Sequence, residues 1–150
     1  MEEKVKLLRD CRVLDFSNEM GFLCGKILGD LGADVIKVEP PGGDPSRNLG
    51  SFYKDIPDPE KNLYWYSYNH NKRGITLNIE TETGKDLLLK LIKRTDIVIE
   101  TFAPGYLKKL GLDYVALTKV KPDLILTSIT PFGQTGRIRT TKDQISSSRR

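Results

Sequence analysis

Short apolar runs alternate with amphipathic segments along most of the chain. Five runs rich in Val, Ile and Leu predict β-strands: residues 12–16, 34–39, 75–79, 96–100 and 124–129. Four intervening segments are predicted to be helical: Glu19–Leu31, Thr81–Arg94, Pro104–Leu110 and Asp113–Lys119. The repeated strand–helix order predicts an α/β fold, namely a Rossmann-like open, mainly parallel sheet with flanking helices.

Glycine spacing adds detail to the first predicted helix. Gly32 stands where a glycine commonly ends a helix, and Gly21, Gly25 and Gly29 recur every four residues on one helix face. These three glycines allow either close packing of the helix on the sheet, which we favour, or close approach of a ligand to the backbone. No G-x-G-x-x-G pattern is present, so we predict no dinucleotide site.

Two segments between the predicted strands are not assigned to helices. Residues 42–62 are polar and rich in Gly, Pro and Asp, which predicts a long surface loop. Tyr64, Tyr66 and Tyr68 then alternate with other residues, which predicts an extended segment with one aromatic face. We expect that face to pack against the sheet or a subunit.

Composition excludes several classes of protein. A length of 150 residues fits one domain, and no apolar run approaches the ~20 residues that a membrane helix needs. The first residues lack the apolar region of a secretory signal, so we expect a cytoplasmic protein. Cys11 and Cys24 match no zinc spacing and are expected to be reduced and half-buried. Since His70 is the only histidine, we predict no multi-histidine metal site.

The net charge of +4 comes from the last fourteen residues. Residues 137–150 hold five of the 24 Lys and Arg and one of the 20 acids, which leaves 19 of each in the remainder. We therefore predict no nucleic-acid partner. Residues 137–150 also show no hydrophobic period, so we expect an α/β domain over residues 1–136 and a disordered basic tail.

Five segments together resemble the family III CoA-transferases, whose members include formyl-CoA transferase and carnitine CoA-transferase, with α-methylacyl-CoA racemase as a relative. The resemblance covers about residues 10–136. The segments are Val13–Phe16, Leu31–Glu39, Asn71–Asn78, Glu100–Gly105 and Thr127–Gly136.

The resemblance implies a Rossmann-like large domain, here truncated, in an interlocked homodimer. It implies CoA exchange between an acyl-CoA and a small carboxylic acid, with acyl-CoA as substrate and no metal. In the family an aspartate carboxylate attacks the thioester and then becomes an aspartyl-CoA thioester, which is covalent catalysis.

Three places in this chain correspond to the CoA contacts of the family. They are Leu77, Asn78, Ile79 and Glu80; Thr101, Phe102 and Ala103; and Lys109. The first two groups follow predicted strands, where ligands of open α/β sheets bind, and Lys109 could bond a phosphate. We also expect the turn before Pro104 to offer a helix N-terminus to the pyrophosphate. Instead of binding a phosphate, Lys109 could be a solvated surface residue. For Lys72 and Arg73 we favour a solvated surface position.

The chain also departs from the family pattern. Pro40 replaces an arginine that often follows the second strand in the family. The family nucleophile lies tens of residues beyond Gly136. We therefore assign no catalytic residue and give Asp143 no such role. Codon degeneracy over residues 137–145 permits a family-like sequence in a shifted frame, hence the hypothesis that the tail is an out-of-frame extension.

We therefore expect a truncated family III CoA-transferase that is inactive alone. The alternative is a non-catalytic CoA-binding or assembly module completed by a separate chain. A racemase-like enzyme ranks third, because it needs an acid–base pair. The only histidine, His70, lies before the Asn71–Asn78 segment, far from where the racemase relative places its base.

Overall fold

The protein folds around one parallel β-sheet. The computed structural model describes residues 7–136, and the predicted disordered tail lies outside them. The five strands are β1 (Arg12–Phe16), β2 (Asp34–Glu39), β3 (Arg73–Thr76), β4 (Ile97–Glu100) and β5 (Ile125–Ser128). They are arranged in the order β3-β2-β1-β4-β5, with every pair parallel. This order is that of a Rossmann-type sheet and confirms the predicted fold class.

Helices cover both faces of the sheet. They are α1 (Phe22–Asp30), α2 (Leu63–Asn69), α3 (Glu82–Ile92), α4 (Tyr106–Lys109) and α5 (Tyr114–Val120). The larger core contains Leu14, Ile36 and Val98 from the strands, packed with Leu88 of α3 and Leu117 of α5. A smaller core on the opposite face is built around Val13, Val35 and Ile99, with Cys24 and Leu28 of α1 against it. The two alternating strand faces are therefore both apolar, as buried parallel strands require.

Helix α1 packs on the sheet through its glycines. A Cβ atom at Gly21 would come within 3.0 Å of Ser17 and Thr101, and one at Gly25 would meet Asp15 and Lys72. This favours the predicted close packing over ligand approach. Gly32 has φ 103° and the Ala33 N–H donates to the Leu28 carbonyl, which is the predicted glycine C-cap.

The aliphatic side chains of α1 consequently face outward. Met20, Leu23, Ile27 and Leu31 are all at least 40% exposed, while Leu28 is half-buried. Glycines on the inner face bring the helix backbone close to the sheet, so Leu23 and Ile27 point away from it.

The prediction of an extended aromatic segment at Tyr64–Tyr68 is wrong. These residues form α2, which begins after Asn62, whose side chain accepts a hydrogen bond from the Trp65 N–H. Trp65 is buried and packs edge-on against Phe22 with ring centroids 5.3 Å apart. Tyr66 is 66% exposed, so the buried aromatic is the tryptophan rather than the tyrosine row. The N-cap and the aromatic contact outweigh the alternating pattern.

The predicted long loop between β2 and α2 has local order. It contains three 3₁₀ turns at Pro45–Asn48, Tyr53–Asp55 and Pro59–Lys61. The Asn62 amide donates to the carbonyls of Ser46, Arg47 and Leu49, which ties the end of the loop to its beginning.

The remaining boundaries shift by one to three residues. Strand β3 begins at Arg73 and ends at Thr76, and α4 begins at Tyr106 because Gly105 adopts a left-handed conformation with φ 81°. The expected helix N-terminus at Pro104 is wrong, and a single-turn helix has little dipole to offer an anion. Thr81 caps α3 as predicted, and both cysteines are free and half-buried as predicted. Within residues 7–136 no helix is long and apolar enough to span a bilayer.

Candidate functional site

A cleft opens at the carboxyl edge of the sheet. It has a volume of about 570 Å³ and is bounded by segments that follow β1, β2, β3 and β4. The strand order reverses between β1 and β4, and ligands of open α/β sheets bind in the crevice at such a point. The volume also lies within the range of small-molecule sites.

Six of the eight residues predicted to contact CoA line this cleft. They are Leu77, Asn78, Ile79, Glu80, Thr101 and Phe102. Two do not: Ala103 borders a smaller neighbouring cavity, and Lys109 is exposed on α4 outside the lining. The structure therefore brings together the segments after β3 and β4, which are 20 residues apart in sequence, because parallel strands end at the same edge.

Thr101 joins the two sides of the reversal point. Its hydroxyl oxygen accepts a hydrogen bond of 2.9 Å from the Asn18 N–H, which links the turn after β1 to the turn after β4. Gly21 lies against the same threonine, so any larger residue there would separate the two turns. This hydrogen bond and the Gly21 contact therefore hold the two turns close together.

A buried ion pair lies beneath the turn after β1. The Lys72 Nζ is 2.8 Å from the Asp15 Oδ2, and both side chains are fully buried. The Lys72 ammonium also donates to the Phe22 carbonyl, while the other Asp15 oxygen accepts from the Ser17 N–H and hydroxyl. Lys72 was interpreted as a surface lysine, which is wrong: it holds the first turn of α1 in place. Arg73, by contrast, is exposed and pairs with Asp34.

A second buried lysine supports the same turn. Lys37 in β2 donates to the Ser17 carbonyl and lies 3.7 Å from the Asp44 carboxylate. Its ammonium is 5.3 Å from the centre of the Phe22 ring. Burial lowers the pKa of Lys37, although nearby Asp15 and Asp44 favour its charged form.

The acidic side chains of the cleft are mostly neutralised. Glu39 binds Arg47 through two hydrogen bonds, at 2.6 and 2.8 Å. Burial opposes ionisation of Glu39, but the hydrogen bonds from Arg47 and the Asp44 N–H, together with the charges of Arg47 and Lys37, hold its pKa below the usual value. Asp44 faces Lys37, and Glu80 accepts from the Tyr106 hydroxyl. Among the residues lining the cleft, Lys37 is the one cation, and it is already bonded.

Glu100 supports the other wall of the cleft from below. One oxygen accepts from the Phe102 N–H at 2.6 Å and the other accepts from the Gln134 amide at 3.2 Å. Burial raises the pKa of Glu100, an effect that its hydrogen bonds to Ser128 and Phe102 only partly offset. This carboxylate anchors the turn that carries Thr101 and Phe102.

Sequence reasoning missed most of these supporting groups. A signal was available: Asp15 and Lys37 interrupt apolar runs that form parallel strands buried on both faces, where a charge requires a partner. The pairing of Asp15 with Lys72, 57 positions away, could not be read from spacing. Lys72 follows α2 in the connection to β3, and only the fold places it under α1.

Comparison with known proteins identifies relatives over most of the chain. The model of CoA-transferase family III matches residues 8–145. A formyl-CoA:oxalate CoA-transferase of Afipia carboxidovorans is 43% identical over 130 residues, which cover 85% of this chain and 30% of the relative. The succinyl-CoA:(R)-benzylsuccinate CoA-transferase subunit BbsE of Thauera aromatica is 41% identical, with 83% and 30% covered.

Solved structures agree with this likeness. A hypothetical protein from Mycobacterium tuberculosis superposes with a TM-score of 0.80 and 38% identity, covering 91% of this chain and 37% of that one. A CAIB/BAIF family protein from Brucella suis superposes with a TM-score of 0.77 and 40% identity, covering 86% and 34%. The chain thus spans about a third of the length of the proteins it matches.

Proposed function

Because the chain belongs to CoA-transferase family III, we propose that these residues form the CoA-holding part of such a transferase. The cleft at the carboxyl edge takes the acyl-CoA. The observation that carries the proposal is the convergence of Leu77–Glu80, Thr101 and Phe102 on one cleft at the reversal point of the sheet. Family members exchange CoA between an acyl-CoA and a carboxylic acid, and the relatives named above act on formyl-CoA or succinyl-CoA.

The lining of the cleft suits the pantetheine arm of CoA. Phe16, Leu77 and Phe102 supply apolar surface, while Asn78 and Thr101 supply polar groups at the strand ends. An extended chain with two amide groups needs such alternating apolar and hydrogen-bonding walls.

The phosphates of CoA are better placed outside the cleft. Lys37 is already bonded, and Pro40 stands where an arginine is common in the family. Lys108 and Lys109 are exposed on α4, next to the Tyr106 that lines the cleft. We propose that these two lysines meet the phosphate end, with Ala103 along the path between.

The nucleophilic aspartate is proposed to lie outside these 150 residues. Among the acids at the cleft, Glu39 is held by Arg47, Asp44 by Lys37 and Ser46, and Glu80 by Tyr106. A carboxylate engaged in this way is a poor nucleophile, so we expect binding without turnover.

Titration calorimetry with CoA tests the proposal. We expect saturable binding by the 150-residue chain, weakened about tenfold by Lys109→Ala, because a charge-assisted phosphate contact contributes about 1.5 kcal/mol. Lys119→Ala on α5 is the matched control and should bind as the unmodified chain does. Absence of saturable CoA binding by a folded chain would overturn the proposal.

A turnover assay tests inactivity separately. The chain is incubated with succinyl-CoA or formyl-CoA and oxalate, and product acyl-CoA is followed by chromatography. We expect no exchange above the blank. Exchange at a measurable rate would show that the nucleophile is present after all.

A second candidate is a non-catalytic assembly module completed by a separate chain. The specific observation in its favour is exposed apolar surface on α1, where Leu23 and Ile27 are each more than 40% exposed. The same exposed apolar surface supports our proposal of an interlocked homodimer. We propose a cytoplasmic location because of the proposed substrate class, acyl-CoA. Sedimentation analysis of the chain alone, which should show association, separates these ideas from a monomer.

A further inference from the structure

A second depression, larger than the cleft, lies along β3 and α3. It measures about 710 Å³ and begins at the amino-terminal side of the sheet, near Arg12 and Thr95. We call it the edge groove. Its floor is apolar, and is formed by Leu14, Ile36, Ile75, Leu77, Leu87 and Leu91.

The strand register explains the floor of the edge groove. Leu14 pairs with Ile36, and Ile36 pairs with Arg73, so these three side chains stand side by side across β1, β2 and β3. Ile75 is only half-buried, and Leu87 of α3 is 44% exposed. Leu14 and Ile36 are buried, so the exposed part of the groove is its outer side, at the partly exposed edge strand β3 and at Leu87.

The rim of the edge groove is basic. Arg12, Arg73, Lys90, Lys93 and Arg94 line it, and no acidic residue does. Asp34 lies beside the first two and pairs with both. No ion pair within residues 7–136 engages the other three, and Lys90, Lys93 and Arg94 are exposed.

We propose that the edge groove docks an amphipathic helix of a separate polypeptide, with an apolar stripe flanked by acidic residues. The apolar stripe covers Ile75 and Leu87, and the acids face Lys90, Lys93 and Arg94. Charge complementarity selects the partner, and an elongated groove between β3 and α3 suits an amphipathic helix. The groove shares Leu77 with the CoA cleft, but Leu87, Lys90 and Lys93 do not line the cleft, so variants at these three positions test docking separately from CoA binding.

Fluorescence anisotropy with two designed peptides tests the proposal. The probe is a labelled 18-residue helix with a leucine stripe flanked by glutamates, and the control peptide carries lysines in place of the glutamates. The 150-residue chain should bind the acidic peptide at least tenfold more tightly, with weaker binding at high salt. Equal binding of both peptides overturns the proposal.

Two variants and one control variant locate the binding. Lys90→Glu with Lys93→Glu should weaken the acidic peptide about tenfold, whereas Lys54→Glu with Lys119→Glu, which changes the net charge equally, should alter it less than twofold. Leu87→Ser tests the floor and should weaken binding about fivefold. Wild-type affinity in the Lys90 and Lys93 variant overturns the assignment.

The same protein variants distinguish a separate helix from a second copy of the chain as the occupant of the groove. If a second copy fills the groove, the Lys90 and Lys93 variant changes the sedimentation of the chain alone, which would also overturn the proposal. Circular dichroism confirms that each variant is folded. Unchanged CoA affinity in the groove variants is expected, so failure of peptide binding and failure of CoA binding are read independently.

Discussion

The cleft and the edge groove lie on one sheet but use charge in opposite ways. At the cleft, Lys37 in the lining and the Asp15–Lys72 pair beneath the turn after β1 are buried and paired, and they fix the turns that form the walls. At the groove, Lys90 and Lys93 are exposed and have no acidic partner among the described residues. Buried charges here serve to position backbone, while exposed charges remain available to a second molecule.

The difference follows from desolvation. A charge removed from water is costly unless hydrogen bonds and a counter-charge replace the water, so the groups of the cleft are tightly interlocked. An exposed lysine keeps its water and costs little. Substitutions should therefore act on folding in the first region and on association in the second.

The largest effect is expected at Lys72. Lys72→Met leaves the fully buried Asp15 carboxylate without its cation, which should lower the free energy of unfolding by about 3–5 kcal/mol. Urea denaturation followed by circular dichroism measures it. The double variant Asp15→Asn with Lys72→Met should recover part of the loss, and a single-variant loss below about 1 kcal/mol would contradict the role of the pair.

Gly25 should show the next largest effect. A Cβ atom there collides with the Asp15 carboxylate and comes within 3.0 Å of the Lys72 Nζ, so Gly25→Ala should cost about 2 kcal/mol. Gly74→Ala is the matched control in β3, since a Cβ atom there meets nothing within 4 Å, and it should change stability by less than about 0.5 kcal/mol. Equal losses of unfolding free energy in Gly25→Ala and Gly74→Ala would contradict the proposed difference between the buried region at the cleft and the exposed region at β3.

Glu100 should make stability depend on pH. Burial raises its pKa in the folded protein above the usual glutamate value of 4.5, so protonation favours the folded state. The stability is present below pH 4.5 and is lost as pH rises through the raised pKa. Glu100→Gln should remove this decline.

The unfolding free energies of the unmodified chain and of the Glu100→Gln variant are measured as pH increases from 4.5, and their difference is followed. Each unit of pKa shift corresponds to about 1.4 kcal/mol. Acids whose pKa values are lowered, such as Asp34 and Glu39, act below this window and are common to both proteins. A pH-independent difference would show that Glu100 is not desolvated.

The smallest effect is expected at the groove. Lys90→Glu with Lys93→Glu should change the free energy of unfolding by no more than about 0.5 kcal/mol, because both side chains are exposed and unpaired. Thermal denaturation at constant salt checks this. A loss comparable with that of Lys72→Met would mean that the groove charges also stabilise the fold.

Much of the fold could be predicted from the sequence because it depends on local pattern. Apolar runs locate the five strands. Thr81 marks the start of α3 through its side-chain hydroxyl, and Gly32 marks the end of α1 through its left-handed backbone conformation. The segment Tyr64–Tyr68 was mistaken because its helix depends on the cap at Asn62 and on contact with Phe22, which outweigh alternation. The family resemblance implied the CoA-contact residues, and the six that line the cleft agree with the rule that parallel strands present their carboxyl ends at one edge.

The sequence by itself determined the fold class, the segments that meet at the cleft, and the family. Only the tertiary structure decided that Lys72 lies under α1, that α1 turns its glycines inward, and that basic side chains surround an uncovered sheet edge. Local propensity depends on neighbours within a few residues, whereas the pairing of a buried charge depends on which distant groups the fold brings within 3 Å of it. That information lies in the packing, and no single segment contains it.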